Sequence, residues 1–135
     1  MANIEYTREF YIAITKLFYS FSMVDRSMSI EEKKEIVWSV KDDWATNEYG
    51  FNSEELIYET MRHLIKEKFS SDKAYEDFKD FFNNNLNLFN NQTNELLKEA
   101  CNKICYAVNG RNKSELILLT KLYRLMGDLD TTNLN

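Results

Sequence analysis

Residues 10–24 of the chain read FYIAITKLFYSFSMV, and this stretch decides the fold that the sequence predicts. Its apolar residues recur at intervals of four, three, four and three, which is the spacing of one face of an α-helix. The residues of this face are Phe10, Ile14, Leu17, Phe21 and Val24. Tyr11 and Phe18 broaden the face, so we expect residues 3–24 to form a helix at the centre of the fold.

The composition of the whole chain favours helices. The 135 residues are 44% hydrophobic, with no proline and only three glycines. A β-sandwich, by contrast, needs many turns rich in glycine and proline. A chain of this length suits a single domain. We therefore expect one all-α domain over residues 1–128, followed by a polar, frayed tail over residues 129–135.

Charge and hydropathy exclude several classes of protein. The net charge is −5, and lysines and arginines alternate with acidic residues, whereas a nucleic-acid-binding surface needs clustered basic residues. The N-terminus lacks the basic region and apolar stretch of a secretory signal, and no window is apolar enough to span a membrane. These features predict a cytoplasmic protein with no nucleic-acid partner and no membrane span.

The rest of the chain brings the predicted total to about six helices in one compact bundle. Ser29 and Glu32 have the spacing of a capping box at the start of the second helix, and Asn52 and Glu55 repeat it at the third. The asparagine-rich residues 83–94 are expected to hold the longest connection. The side chains predicted to face inward in the later helices and in this connection are Ile57, Met61, Leu64, Ile65, Tyr75, Phe78, Phe81, Phe82, Leu86, Leu88, Phe89, Leu97, Ala100, Cys101, Ile104, Leu118, Leu122, Leu125 and Met126.

Two stretches of the sequence, residues 18–32 and 103–115, follow one pattern. Each has an apolar helix end, a stop residue, a short polar turn and a capped helix with a glutamate in its first turn. The stop residues are Asp25 and Asn109, and the glutamates are Glu32 and Glu115. The pattern predicts two pseudo-duplicated helix–turn–helix halves.

This doubled pattern, DRSMSIEE at residues 25–32 and NGRNKSE at residues 109–115, resembles the TerB-like (tellurite-resistance) family. The resemblance implies a binding or scaffold protein of a stress response, with acidic residues that bind metal and an association with larger membrane-bound complexes. Arg26 stands where the family motif has its first glycine, and Asn109 where it has its second aspartate. One acidic group is therefore missing, and the second turn is shorter.

The two turns supply the candidate metal ligands, Asp25, Glu32, Asn109 and Glu115. Their oxygen atoms could bind a divalent cation such as Ca²⁺, although that ion prefers six to eight oxygen ligands. The alternative is that Asp25 and Asn109 end helices while the two glutamates complete capping boxes. The sequence leaves both interpretations open.

The residues that usually carry catalysis have simpler interpretations here. Cys101 and Cys105 share one helical face, and a thiolate metal site normally needs four ligands, so we expect them to be small buried hydrophobic residues. His63 has no visible partner and is expected to be a partly buried surface residue rather than a general base. No hydrolase, phosphate-loop or zinc-protease motif occurs, so the chain is predicted not to be an enzyme.

The many aromatic residues are expected to lie mostly in the core, but tyrosine and tryptophan are also favoured at protein interfaces. Trp38 lies one residue off the main stripe of its helix and is the predicted interface residue. The leading hypothesis is a non-enzymatic, TerB-like stress-response protein with a weak divalent-metal site. The alternatives are a metal-free helical adaptor that binds a protein partner, and an enzyme with a carboxylate site.

Overall fold

The computed structural model describes residues 7–24, 52–106 and 113–127, together with Lys34, Ile36 and Trp44. This part of the chain forms five α-helices and no β-strand, which confirms the all-α prediction. A short 3-10 helix, Leu86–Leu88, precedes the fourth helix. The predicted helix start at Ser29, the two hairpin turns and the tail lie outside the described residues. The helices are α1 (Arg8–Ser22), α2 (Ser53–Lys66), α3 (Ser71–Asn84), α4 (Asn91–Tyr106) and α5 (Lys113–Leu125).

Side-chain caps explain where the helices begin. The first backbone N–H groups of a helix have no partner within the helix, and a side-chain oxygen just before it accepts from one of them. For α1 and α2, the N–H of Phe10 donates to the Thr7 side chain at 3.2 Å, and the N–H of Glu55 to the Asn52 side chain at 2.9 Å. For α3 and α4, the N–H of Lys73 donates to the Ser70 side chain at 3.0 Å, and the N–H of Thr93 to the Asn90 side chain at 2.8 Å. The predicted cap at Asn52 is therefore confirmed. Gly127, with a φ of +89°, follows α5 as the predicted stop signal.

Helix α1 lies at the centre of the bundle, as its sequence predicts. Phe10, Ile14, Leu17, Phe18 and Phe21 are all fully buried. Helices α2, α3 and α4 all pack against α1, while α5 packs against α4. A helix that is apolar on most of its circumference is stable only when neighbours cover it on several sides, and this arrangement provides that cover.

The connection between α3 and α4 lies inside the asparagine-rich stretch, as predicted, but it is shorter. Helix α3 continues to Asn84 and α4 begins at Asn91, so half of residues 83–94 belong to the two helices and residues 85–90 connect them. The asparagines serve the helix ends, since Asn90 caps α4 and the Asn85 side chain donates to the Phe81 carbonyl at 3.0 Å. Leu86 was predicted to be packed, but it is 61% exposed because the 3-10 turn directs Leu88 and Phe89 inward instead.

Phe89 is the centre of an aromatic cluster that joins this connection to α1 and α3. Its ring centroid lies 5.5 Å from that of Phe10 on α1 and 4.6 Å from that of Phe82 on α3. The rings of Phe78 and Phe81 lie at 5.8 and 6.1 Å. Contacts of this kind contribute beyond the area that they bury, so one loop residue holds two helices together.

The inward face of α2 is narrower than predicted. Ile57 and Leu64 are buried as expected, and Met61 is partly buried between them. Ile65 was predicted to face inward but is exposed. The reason is geometric: the contact with α1 is centred on Ile57 and Leu64, which lie two turns apart on one line, and Ile65 lies to one side of that line.

Candidate functional site

The structure locates only part of the predicted metal site. Asp25, Glu32 and Asn109 lie outside the described residues, and so does the predicted interface residue Trp38. Glu115 is described, and it lies in the first turn of α5 with 5% of its surface exposed. A carboxylate is favoured at this position by the positive end of the helix dipole. Within the described ranges, no three His, Cys, Asp or Glu residues form a group that could hold a metal ion.

Cys101 and Cys105 are free thiols, and both are buried in the core, as predicted. Burial raises the pKa of the Cys101 thiol well above its usual value, and the neighbouring Cys105 raises it further. A nucleophilic or metal-binding cysteine needs the opposite change, toward the thiolate form. His63 was predicted to be partly buried, but it is exposed in the last turn of α2, where Leu64 is the residue that is buried.

A groove between α3 and α5 is lined by four charged side chains. Its cavity has a volume of about 420 Å³. Lys79 comes from α3, and Lys121 and Arg124 come from α5, so three cations line the groove against one carboxylate. The residues that line this groove, called here the basic groove, are Tyr75, Glu76, Lys79, Lys121, Arg124 and Leu125.

The cations of the basic groove have no acidic partner in the described part of the chain. The ion pairs there involve Lys16, Lys73, Lys98 and Lys103, and none involves Lys79, Lys121 or Arg124. Like charges that share a groove repel one another, and an anion bound between them would relieve that repulsion. The guanidinium group of Arg124 can bind a carboxylate through two parallel hydrogen bonds, which a lysine cannot do.

Tyr75 forms the wall of the basic groove that is deepest in the protein. The side chain is 5% exposed, and no hydrogen bond to its hydroxyl is found among the described residues. Burial raises the pKa of Tyr75, and the nearby Cys101 and Glu76 add to this effect, so the hydroxyl keeps its proton. Its oxygen is not one of the described buried atoms that lack a partner, so the hydroxyl reaches the solvent in the groove. An acceptor on a bound ligand could take the place of water there.

Exposed aliphatic side chains extend the same surface along α5. Leu116 is 46% exposed and Ile117 is 50% exposed, although the opposite face of the helix is buried. Ile117 lies one turn before Lys121, and Lys121 lies one turn before Arg124. Ile117 therefore lies beside the basic groove, and Leu116 precedes it on the helix. These two residues and the basic groove are what we call the α5 surface.

A second cavity, of about 630 Å³, lies where α1 ends beside the turn from α2 to α3. Two of its polar groups already serve the fold, because Ser70 caps α3 and the Ser71 hydroxyl donates to the Ser20 carbonyl at 2.6 Å. Its lining residues are Met23, Val24, Ile65, Lys68, Phe69, Ser70, Ser71 and Asp72. It therefore offers less binding chemistry than the basic groove.

The basic groove was not predicted from the sequence. One signal was available, because Ile117, Lys121 and Arg124 lie on one side of α5 at helical spacing. The other half of the site, Tyr75 and Lys79, lies far away in the sequence. Only the packing of the folded chain brings α3 beside α5.

Comparison of the chain with families of known proteins, with individual curated proteins and with solved structures finds no match. No helix in the part of the chain that the structure describes is long and apolar enough to cross a lipid bilayer. The functional conclusion therefore depends on the geometry of the site.

Proposed function

We propose that this chain is a non-enzymatic helical adaptor that holds a protein partner on the α5 surface. The observation that carries the proposal is the pair Leu116 and Ile117, two aliphatic side chains that are about half exposed and adjacent on one helix. Burying such a pair against a partner is favourable by roughly 25 cal/mol per Å² of apolar area. The charged residues that follow on the same helix give the surface a polar rim, as protein interfaces have.

The test compares two double variants with the unmodified chain in capture experiments from cell extract. Leu116→Ser with Ile117→Ser removes the apolar pair, and Ile65→Ser with Leu86→Ser removes two exposed aliphatic residues from other surfaces. Quantitative mass spectrometry should find a protein that is captured by the unmodified chain and by the control variant. The Leu116→Ser/Ile117→Ser variant should not capture that protein. If no captured protein depends on Leu116 and Ile117, the proposal is wrong.

The proposal extends to the finer architecture. We propose a sixth helix that begins at Ser29 and a duplicated helix–turn–helix arrangement of the TerB-like kind. Ile36 and Trp44, which fall within the predicted second helix, are both buried in the core. The Trp44 carbonyl also accepts a hydrogen bond from Ser53 at 2.6 Å, at the start of α2. These contacts support a packed segment between α1 and α2.

We also propose that the adaptor acts in a stress response of the tellurite-resistance type, in the cytoplasm or attached to a membrane-bound complex. The resemblance of residues 25–32 and 109–115 to the TerB-like motif supports this context. In that proposal Asp25, Glu32, Asn109 and Glu115 form a weak site for a divalent cation such as Ca²⁺. Glu115 is the last residue of the second motif, and its position in the first turn of α5 supports its share of the site.

Calorimetric titration with CaCl₂ tests the metal site at near-physiological ionic strength. The unmodified chain should give heat of binding, whereas Asp25→Ala and Glu115→Gln should each give less. The matched control is Asp80→Asn on α3, which removes an exposed carboxylate far from both motifs in the sequence. Equal heats from the unmodified chain and the two site variants would contradict the metal site and leave the adaptor proposal intact.

A further inference from the structure

We propose that the basic groove binds carboxylate side chains of an acidic, partly apolar segment of the protein partner. This inference rests on the proposed adaptor function and specifies the chemistry of its partner. The groove brings Lys79, Lys121 and Arg124 around one cavity, and none of them has an acidic partner in the described ranges. Their positive charge stands out on a chain whose net charge is −5, so it selects an acidic partner.

The buried wall of the groove adds a directed hydrogen-bond donor. Tyr75 is almost fully buried and lines the cavity, and among the described contacts its hydroxyl has no acceptor. A carboxylate bound by Arg124 and one of the lysines would supply that acceptor. Glu76 at the rim disfavours a dense polyanion, because a run of phosphates could not avoid its negative charge.

The extent of the α5 surface favours a peptide segment over a small ion. Ile117 and Arg124 are seven residues apart on one helix, which corresponds to about 10 Å along its axis. A ligand that covers the apolar pair and reaches the cations must carry apolar and acidic groups about two helical turns apart. A short stretch of polypeptide with aspartate or glutamate beside leucine, isoleucine or phenylalanine meets this requirement.

The test is selection of binders from a degenerate library of short displayed peptides, with the full chain as bait. The selected peptides should be enriched in acidic residues beside apolar ones. Their affinities, measured by fluorescence anisotropy, should fall at least about tenfold for Lys121→Glu with Arg124→Glu, which corresponds to about 1.4 kcal/mol. Arg62→Glu with Lys66→Glu is the matched control, since it reverses two exposed cations in the last turns of α2. It should change the affinity less than about twofold.

A charge-swap arm separates loss of binding from loss of folding. Peptides in which lysine replaces the acidic residues should bind the Lys121→Glu/Arg124→Glu chain better than they bind the unmodified chain. The Arg62→Glu/Lys66→Glu chain, which carries the same net charge, should not show this gain. Tyr75→Phe should weaken the binding of acidic peptides severalfold, because it removes the proposed hydroxyl donor.

The other outcomes overturn the inference in distinguishable ways. Peptides that depend on Leu116 and Ile117 but tolerate the charge reversal would support the adaptor and contradict the acidic partner. If no selected peptide depends on Leu116 and Ile117 or on Lys121 and Arg124, the adaptor proposal and the acidic-partner proposal are both contradicted. Displacement of the peptides by an equal concentration of inorganic pyrophosphate would assign the groove to a small phosphorylated ligand instead.

Discussion

The hydroxyl of Tyr19 donates a hydrogen bond to the carbonyl of Phe69 at 2.7 Å, and so links the middle of the bundle to the turn between α2 and α3. The same hydroxyl lies 3.3 Å from the carbonyl of Leu64. Tyr19 is fully buried, and burial raises the pKa of its hydroxyl. The one proton of this hydroxyl therefore serves the Phe69 carbonyl, while the Leu64 carbonyl accepts from the Phe69 backbone N–H at 3.1 Å.

Tyr19→Phe should lower the free energy of unfolding by about 1–2 kcal/mol, because it leaves the partly buried Phe69 carbonyl without its donor. Tyr75→Phe is the matched control, since it removes a hydroxyl that makes no hydrogen bond with the described residues. It should change stability by less than about 0.5 kcal/mol. Urea unfolding followed by circular dichroism measures both, and equal losses would refute this role of Tyr19.

Phe89→Ala should be among the most destabilising substitutions in the chain, with a loss of about 3–5 kcal/mol. Its ring contacts the rings of Phe10 and Phe82, so the substitution opens a cavity between α1 and α3. Leu86→Ala, three residues earlier in the same connection, should cost less than about 0.5 kcal/mol because Leu86 is exposed. Comparable midpoints of thermal unfolding for the two variants would show that the aromatic cluster does not hold this connection.

Asp77 should make stability depend on pH in the acidic range. Its carboxylate lies 3.0 Å from Lys16 of α1 and 2.8 Å from Lys73 of α3. Burial alone would raise the pKa of Asp77, but hydrogen bonds from Lys73 and Lys16 lower it below the ordinary value of 3.8. The folded chain therefore binds this proton less readily than the unfolded chain, and the ion pairs stabilise the fold above the unfolded pKa.

At neutral pH, Asp77→Asn should lower the free energy of unfolding by about 1 kcal/mol. The difference from the unmodified chain should shrink as the pH falls through the folded pKa of Asp77, since the carboxylate is then neutral in both states. Asp80→Asn removes an exposed carboxylate from the same helix and should show no comparable loss. A difference for Asp77→Asn that persists at low pH would mean that shape, not charge, accounts for it.

Cys101 and Cys105 should not react in the folded protein. Both are buried on α4, and burial raises the pKa of the Cys101 thiol, so the thiolate that reacts with disulfide reagents is scarce and inaccessible. Ellman's reagent should modify them only as fast as the protein opens, and quickly in urea. Rapid modification of both thiols without denaturant would show that this part of the core is open.

The prediction of an all-α fold with a central first helix was confirmed because the relevant signals are local. The spacing of Phe10, Ile14 and Leu17 predicts a buried helical face, and Asn52 predicts a cap from its own neighbours in sequence. The connection after α3 lies within the predicted residues 83–94, but it is shorter than that stretch, because Asn85 and Asn90 bond to the helix ends on either side of it.

The candidate site could not be predicted in the same way, since its halves come from α3 and α5. Lys79 and Arg124 have no pattern in common in the sequence, and they line one groove only because the fold places α3 beside α5. The metal site and Trp38 remain predictions, because Asp25, Glu32, Asn109 and Trp38 lie outside the described residues. Glu115 is the one predicted ligand that the structure places.

The most direct test of the adaptor proposal is the affinity of a purified partner, identified by capture, for three forms of the chain. Isothermal titration calorimetry should give a dissociation constant for Leu116→Ser/Ile117→Ser that is at least about tenfold weaker than that of the unmodified chain. The control variant, Ile65→Ser/Leu86→Ser, should bind within about twofold of the unmodified chain. Equal affinities for all three forms would contradict the proposal that the α5 surface holds the partner.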